Sequence, residues 1–178
     1  AKSWLSELLA SAISGQSILT IQGGAITNVS QLLYSWNEAL LKSTGPTPEA
    51  LIPSPVYQGM MEGQLVRFEE IARCPQHIQD AMLSIMSERQ ILVPDLGRAN
   101  GVLFAREGFN IIATSNSLDQ GVNVMSAALK RRMNFETIPP IRELQDEIEV
   151  VASESDKLIR LSGVDVKPDA QIIEVLTT

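Results

Sequence analysis

Short apolar runs alternate with amphipathic stretches along this chain. Between Trp4 and Ile13 apolar residues recur at helical spacing, and Gly15 is a suitable helix stop. Residues 17–22 (SILTIQ) predict a strand that closes at a Gly-Gly pair. The next stretch predicts a second helix, capped by Ser30. Its apolar face consists of Leu32, Leu33, Trp36, Leu40 and Leu41.

The middle of the chain combines a proline-rich segment with a strand and a helix. Four prolines within residues 45–55 predict a loop without regular structure. Residues 64–68 are β-prone and lead directly into Glu69 and Glu70. The helix predicted next has one apolar face, formed by Ile78, Met82, Ile85 and Met86. Residues 93–104 predict a loop or an irregular hairpin.

The last third of the chain changes from mixed to helical patterning. Residues 109–114 (FNIIAT) predict a strand, residues 124–129 a helix and residues 134–138 a last strand. The prolines at 139–140 mark a boundary. Apolar residues then recur on one helical face, namely Ile141, Leu144, Ile148 and Val151. Pro168 is suited to the first turn of a final short helix.

Strands that alternate with helices imply an α/β domain of three layers with a mostly parallel sheet. The 178 residues are 44% hydrophobic and 20% charged, which is sufficient for a packed core. The formal net charge of −7 argues against a general nucleic-acid or membrane-surface binder. One cysteine and one histidine exclude an intramolecular disulfide framework and argue against a zinc site. No apolar run is long enough to cross a membrane, and no signal peptide is visible.

A pair of carboxylates is the first candidate for chemistry. Glu69 and Glu70 follow a predicted buried strand, and ligands of open α/β sheets bind at the carboxyl ends of the strands. One carboxylate there can hold a hydrated Mg²⁺ while the other orients or deprotonates a water molecule. The alternative is that the pair only caps the next helix and complements its dipole.

Two further polar features follow the later predicted elements. Asn116 comes directly after the strand at 109–114, where its amide could bind a phosphate oxygen or a water molecule. It could equally be an ordinary turn residue. Lys130, Arg131 and Arg132 offer cations to a phosphate, or they form a solvated helix end.

The start of the chain supplies a fourth feature. Lys2 and Ser3 precede a helix, as do the lysine and the hydroxyl residue that end a P-loop, although alanine stands here in place of the last glycine. Two residues are weak evidence alone. The order of the four features along the chain is that of one phosphoryl-transfer site.

With these residues in place, the chain resembles the AAA+ ATPases of the MoxR type, in the helix-2-insert branch. The segments that carry the resemblance are AKSWLSELLASAISG, YSWNEALL, GQLVRFEEIARCPQHIQDAMLSIMSERQILVP, GFNIIATSNSLDQGVN and MSAALKRRMNFETIPPI. The resemblance implies a three-layer AAA+ P-loop core over residues 1–140 and the start of a helical lid over residues 141–178.

The resemblance also implies a role for each candidate residue. Lys2 and Ser3 match the Walker A lysine and the Mg²⁺-binding hydroxyl. Glu69 matches the metal-side position of Walker B, reached through water, where the family usually has aspartate. Glu70 matches the residue that activates water, and Asn116 matches sensor 1.

The arginine finger matches Arg132, with Arg131 as the alternative. A finger acts across a subunit boundary, so the resemblance implies a homo-oligomeric ring, with six subunits expected.

The function implied by this resemblance is ATP binding and hydrolysis with Mg²⁺ by a cytoplasmic motor. Such a motor would remodel or mature a client protein, for which a von Willebrand factor A domain protein is a candidate. One alternative is a nucleotide-sensing scaffold with little hydrolysis, since Glu69 departs from the family pattern. A second is a DNA-translocating relative, which the charge disfavours because DNA binding relies on cations.

The resemblance also bears on the ends of the chain. The sequence does not begin with Met, and its first residues match the end of a P-loop, which predicts a piece of a longer protein. The family orders its strands 5-1-4-3-2, with the strand before the P-loop in the middle. We therefore expect residues 1–178 alone to lack that strand and the sensor-2 residue, and to bind ATP poorly.

Overall fold

The computed structural model describes residues 2–116, 125–163 and 166. The chain divides into two units, Ala1–Phe135 and Glu136–Thr178.

Helices and strands alternate through the first unit. Its α-helices are α1 (Lys2–Ser14), α2 (Val29–Leu32), α3 (Glu38–Thr44), α4 (Pro55–Glu62), α5 (Gln76–Glu88), α6 (Gly97–Asn100) and α7 (Ala127–Lys130). Its strands are β1 (Thr20–Gln22), β2 (Tyr34–Trp36), β3 (Leu51–Pro53), β4 (Leu65–Glu69), β5 (Gln90–Leu92), β6 (Val102–Phe104) and β7 (Asn110–Ala113). Short 3-10 turns occupy Pro48–Ala50, Ile71–Arg73 and Pro94–Leu96.

A three-stranded parallel sheet with the order β1-β4-β7 organises the unit. In the central strand, Arg67 lies opposite Thr20 on one side and Ile112 on the other. The sheet and its helices bury a continuous apolar core that includes Val66, Phe68, Ile78, Met82, Ile85 and Leu129. This arrangement confirms the predicted α/β fold with a parallel sheet and flanking helices.

The predicted second helix is wrong as a single element. The segment forms α2, then β2, then α3, and each helix is capped by an asparagine, Asn28 or Asn37, rather than by Ser30. The two asparagine side chains accept bonds from the first free N–H groups and so start two separate helices. Between them Tyr34 packs edge-on against Trp36, with ring centroids 5.9 Å apart.

The proline-rich segment also differs from the prediction. Instead of a loop it forms a 3-10 turn, strand β3 and the start of α4, and β3 pairs antiparallel with β2. The prolines are compatible because Pro48 and Pro55 occupy first helical turns, where no N–H partner is needed. Pro53 ends its strand opposite Tyr34.

A second antiparallel pair joins β5 to β6, so a hairpin is present, but its first strand precedes residues 93–104, over which a loop or an irregular hairpin was expected. Helix α7 overlaps the helix predicted at residues 124–129 from Ala127 onward, and residue 124 lies outside the described residues. The strand predicted at 134–138 is wrong, because those residues form neither a helix nor a strand. No strand of the described chain pairs with them, and without ladder partners a short β-prone run is not stable.

Helix α1 uses an unexpected face. The residues it buries are small, Ser6 and Ala10, while Trp4 is 59% and Ile13 is 66% exposed. Small side chains on the packed face let the helix lie close to β4, so that hydroxyl groups of α1 reach the strand.

The second unit contains α8 (Leu144–Ser162). Asp146 and Glu147 lie in its first turn, where their negative charges interact favourably with the helix dipole. The helix is followed by Gly163 in the left-handed conformation. This helix confirms the helical pattern expected after residue 140, and the helix expected at Pro168 lies outside the described residues. Within the ranges that the structure describes, no helix is long and apolar enough to span a membrane.

Candidate functional site

Polar side chains meet where the parallel strands β4 and β7 end. Because these strands are neighbours with the same direction, Glu69 and Glu70 lie beside the residues that follow β7. Helix α1 packs on β4 and brings its first turn to this edge. The site therefore combines three segments that are distant in sequence.

Lys2 reaches the end of β7. Its ammonium group donates to the backbone oxygen of Ser115 at 2.9 Å and to the side-chain oxygen of Asn116 at 3.1 Å. The structure thus brings together two of the residues singled out in the sequence, which are 114 positions apart.

Glu69 is the most enclosed of the predicted site residues. Its side chain is 7% exposed, and its oxygens accept bonds from Ser6 Oγ at 2.7 Å and Thr114 Oγ1 at 2.5 Å. Arg67 lies two residues earlier on the same face of β4 and forms an ion pair with Glu69 at 2.9 Å. A buried charge is tolerated when it is paired and hydrogen-bonded in this way.

Opposing effects act on the ionisation of Glu69. Burial raises the pKa of this carboxyl, but hydrogen bonds, chiefly from Thr114 and Ser6, outweigh burial and lower the pKa below its ordinary value. The carboxylate is therefore ionised at neutral pH. Ser3 lies near this carboxylate, because its backbone oxygen accepts bonds from Ser6 and Arg67, the two residues that bind Glu69 Oε1.

Glu70 adopts a left-handed backbone conformation with φ of 55°, which is uncommon for a residue other than glycine. Its N–H donates to Thr114 Oγ1 at 3.1 Å. Its carboxylate accepts a bond from Gln22 Nε2 at 3.1 Å and lies 3.3 Å from Arg73 Nε. The side chain is 40% exposed, so adjacent glutamates occupy different environments, one enclosed and one open to solvent.

Arg131 and Arg132 have no described contact with this edge of the sheet. Both residues are exposed. Arg132 donates hydrogen bonds to the backbone oxygen of Ala128 on α7 at 3.0 Å and to Ser87 Oγ on α5 at 2.5 Å. The described structure thus gathers Lys2, Ser3, both glutamates and Asn116, but it does not bring the arginines to them.

The sequence prediction missed several residues that hold the two carboxylates. They are Ser6, Gln22, Arg67, Arg73 and Thr114. The sequence did contain a signal for Arg67. It is a charged residue inside an apolar strand, and it lies two positions before Glu69, so both side chains are on the same face of that strand. Thr114 gave no such signal, because a threonine at the end of a strand is ordinary.

The oxygen ligands at this edge suit Mg²⁺. The first turn of α1, which carries Ser3, lies beside the Glu69 carboxylate, and Mg²⁺ prefers hard oxygen donors while keeping several of its waters. Within the described residues no group of three or more acidic, histidine or cysteine side chains could hold a metal ion by itself. Phosphate oxygens and water would therefore have to complete the coordination, as in nucleotide sites.

Comparison with known proteins identifies the family. The family model "AAA domain (dynein-related subfamily)" matches residues 1–133. The Escherichia coli K12 protein YehL, which is uncharacterised, is 54% identical over 176 residues, covering 99% of this chain and 49% of YehL. The chain thus spans about half the length of this curated relative.

Solved structures share the fold at low sequence identity. A predicted ATPase from Cytophaga hutchinsonii is 19% identical with a TM-score of 0.54, over 76% of this chain and 37% of that one. NtrX from Brucella abortus is 12% identical with a TM-score of 0.61, over 98% of this chain and 39% of NtrX. NtrX in complex with ATP is 14% identical with a TM-score of 0.55, over 99% and 40%. Since the family model covers well over half of the sequence, the chain belongs to the AAA domain family, in its dynein-related subfamily.

Proposed function

We propose that the intact protein binds ATP and Mg²⁺ and hydrolyses ATP as an AAA+ motor, and that this chain supplies part of its nucleotide site. The observation that carries the proposal is the contact of Lys2 with Asn116 beside the two glutamates, since residues from three distant segments meet at one edge of the sheet. Ligands of open α/β sheets bind at this edge. The fold shared with NtrX in complex with ATP supports the same nucleotide.

Each residue has a distinct role in this proposal. Lys2 contacts the phosphates in place of its present bonds to Ser115 and Asn116, and Asn116 then positions the attacking water. Ser3 and Glu69 hold the metal side of the site, Ser3 directly and Glu69 through water. When bound, Mg²⁺ neutralises charge on the phosphate oxygens.

Glu70 is the proposed general base. Its carboxylate is 40% exposed, so a water molecule can reach it, whereas Glu69 is enclosed. Glu70 accepts a proton from water as the water oxygen bonds to the γ-phosphorus, and the bond to the bridging oxygen breaks. ADP keeps the electron pair of that bond, and the proton passes on to the released phosphate. Gln22 and Arg73 both contact Oε2 of this carboxylate, so Oε1 is the oxygen proposed to accept the proton.

The remaining roles depend on neighbouring subunits and partners. Arg132 is exposed and is the proposed finger for the nucleotide of a neighbouring subunit, with Arg131 as the alternative. This role requires a ring, for which we propose six subunits. We further propose a MoxR-type chaperone role in the cytoplasm, with a client such as a von Willebrand factor A domain protein.

A nucleotide-sensing scaffold is the second candidate. The ion pair of Glu69 with Arg67 favours it, because the metal-side carboxylate, where the family usually has aspartate, is already paired with a cation. For both candidate functions we propose an ATPase core at residues 1–140 and a helical lid that begins at residue 141.

Phosphate release by the intact protein separates the two candidates. The motor proposal expects Glu70→Gln to abolish turnover while ATP binding is retained, since the amide keeps the shape of the side chain but cannot accept the proton. Glu62→Gln is the matched control, because Glu62 is an exposed glutamate on α4 whose bond to Gln58 is local. Equal turnover in the wild type and Glu70→Gln would contradict the motor, and loss of turnover in Glu70→Gln alone would contradict the scaffold.

A further inference from the structure

The central strand of the sheet contains a cation in an unusual place. Arg67 occupies the middle of β4, where the four other residues are all buried. Its own side chain is 11% exposed. Arginine is almost never enclosed to this degree unless it is paired, so its contacts indicate why it is tolerated.

The guanidinium of Arg67 connects the segments that form the proposed nucleotide site. It donates to Glu69 Oε1 at 2.9 Å and to the backbone oxygen of Ser3 at 3.3 Å. It also donates to Ser6 Oγ at 3.2 Å and to the backbone oxygen of Ser17 at 3.2 Å. The first turn of α1 and the metal-side carboxylate are therefore attached to one fixed positive charge.

These contacts divide the two oxygens of Glu69 unequally. Oε1 accepts from both Arg67 and Ser6, which uses its two lone pairs. Oε2 accepts from Thr114 and keeps one lone pair for a further donor. The carboxylate can thus still meet a metal-bound water, but its charge is already compensated by Arg67.

We propose that Arg67 is an internal counter-cation for Glu69, which keeps the site assembled without metal and lowers its affinity for Mg²⁺. This inference rests on the proposed nucleotide site. Arg67 is a positioning residue, because its contacts are with the site residues and not with a substrate. Nucleotide binding by this protein then depends only weakly on Mg²⁺.

Electrostatics gives the direction of the effect. Removing Arg67 leaves Glu69 with its full negative charge and removes repulsion between the guanidinium and a divalent cation. Across a few ångströms of partly solvated protein, one unit charge changes the affinity for a divalent ion by about tenfold or more. If Arg67 had a purely structural role, its removal would lower the affinity for Mg²⁺, because a loosened site binds metal less tightly.

The test is a Mg²⁺ titration of nucleotide binding by the intact protein, followed with a fluorescent ADP analogue. Arg67→Met keeps the aliphatic stem, and we expect the half-saturating Mg²⁺ concentration to fall about tenfold or more. Arg67→Lys is the matched control that retains the charge, and we expect a value close to that of the wild type. An unchanged or higher half-saturating concentration in Arg67→Met, with nucleotide still bound, would overturn the inference.

A second measurement needs no variant. In the wild type, we expect the affinity for the ADP analogue to differ by less than about tenfold between excess Mg²⁺ and EDTA, because Arg67 compensates Glu69 in both conditions. A difference of about a hundredfold or more would overturn the inference and leave the proposed function standing. Absence of nucleotide binding in every condition would contradict the proposed function itself.

Discussion

Thr114 holds both glutamates of the site through one hydroxyl group. It donates to Glu69 Oε2 at 2.5 Å and accepts from the N–H of Glu70 at 3.1 Å. Thr114→Val preserves the shape of the side chain and removes both bonds. A bond to a charged group contributes about 1.5–3 kcal/mol and a neutral one about 1 kcal/mol. Since Glu69 retains Ser6 and Arg67, we expect a loss of about 2–3 kcal/mol in the free energy of unfolding.

The assay is urea unfolding followed by circular dichroism, with the thermal midpoint as a second observable. For a chain of this size the expected loss lowers the midpoint by roughly 5–10 °C. Thr114→Ser is the matched control, because it keeps the hydroxyl and should stay within about 1 kcal/mol of the wild type. The reasoning is refuted if Thr114→Val is as stable as the wild type, or if Thr114→Ser loses as much as Thr114→Val.

Two further predictions concern the sheet edge and the buried thiol. A Cβ at Gly23 would lie 2.4 Å from the Glu70 carbonyl oxygen, whereas one at Gly24 would meet only side-chain atoms at 3.7–3.9 Å. Gly23→Ala should therefore lower the free energy of unfolding by about 2 kcal/mol or more in urea titrations, and an equal loss in Gly24→Ala would contradict this. Burial raises the pKa of Cys74 from 9.0 to about 11, so the native thiol should resist alkylation at pH 8 and react once the protein is unfolded. Because only the unfolded thiol ionises between pH 9 and pH 11, the wild type should lose stability across that interval more than Cys74→Ala, and parallel profiles would refute this.

The sequence predicted the elements whose pattern reflects their burial. Strand β4 is a short apolar run between turn signals and is buried except at Arg67, and α5 buries one apolar face. The segment from residue 28 to residue 55 was mispredicted because its elements are only three to seven residues long. Such elements depend on tertiary pairing, here of β2 with β3, and not on local periodicity.

The candidate site was predictable where it depends on strand direction. Glu69, Glu70 and Asn116 follow strands, so their proximity follows from a parallel sheet. The bonds that hold the carboxylates were not predictable in the same way. They depend on side chains such as Ser6 and Gln22, whose positions are set by how closely α1 packs on β4 and by how β1 pairs with it.

The central claim is that Lys2 belongs to a phosphate site at the ends of β4 and β7. The most direct test is the affinity of the intact protein for ATP in Lys2→Ala, measured calorimetrically beside Lys42→Ala. Lys42 is exposed on α3 and controls for the loss of one positive charge from the surface. We predict that Lys2→Ala weakens ATP binding by about tenfold or more, because its ammonium contacts the phosphates, while Lys42→Ala binds as the wild type does. Equal affinities in the wild type and both variants would contradict the account.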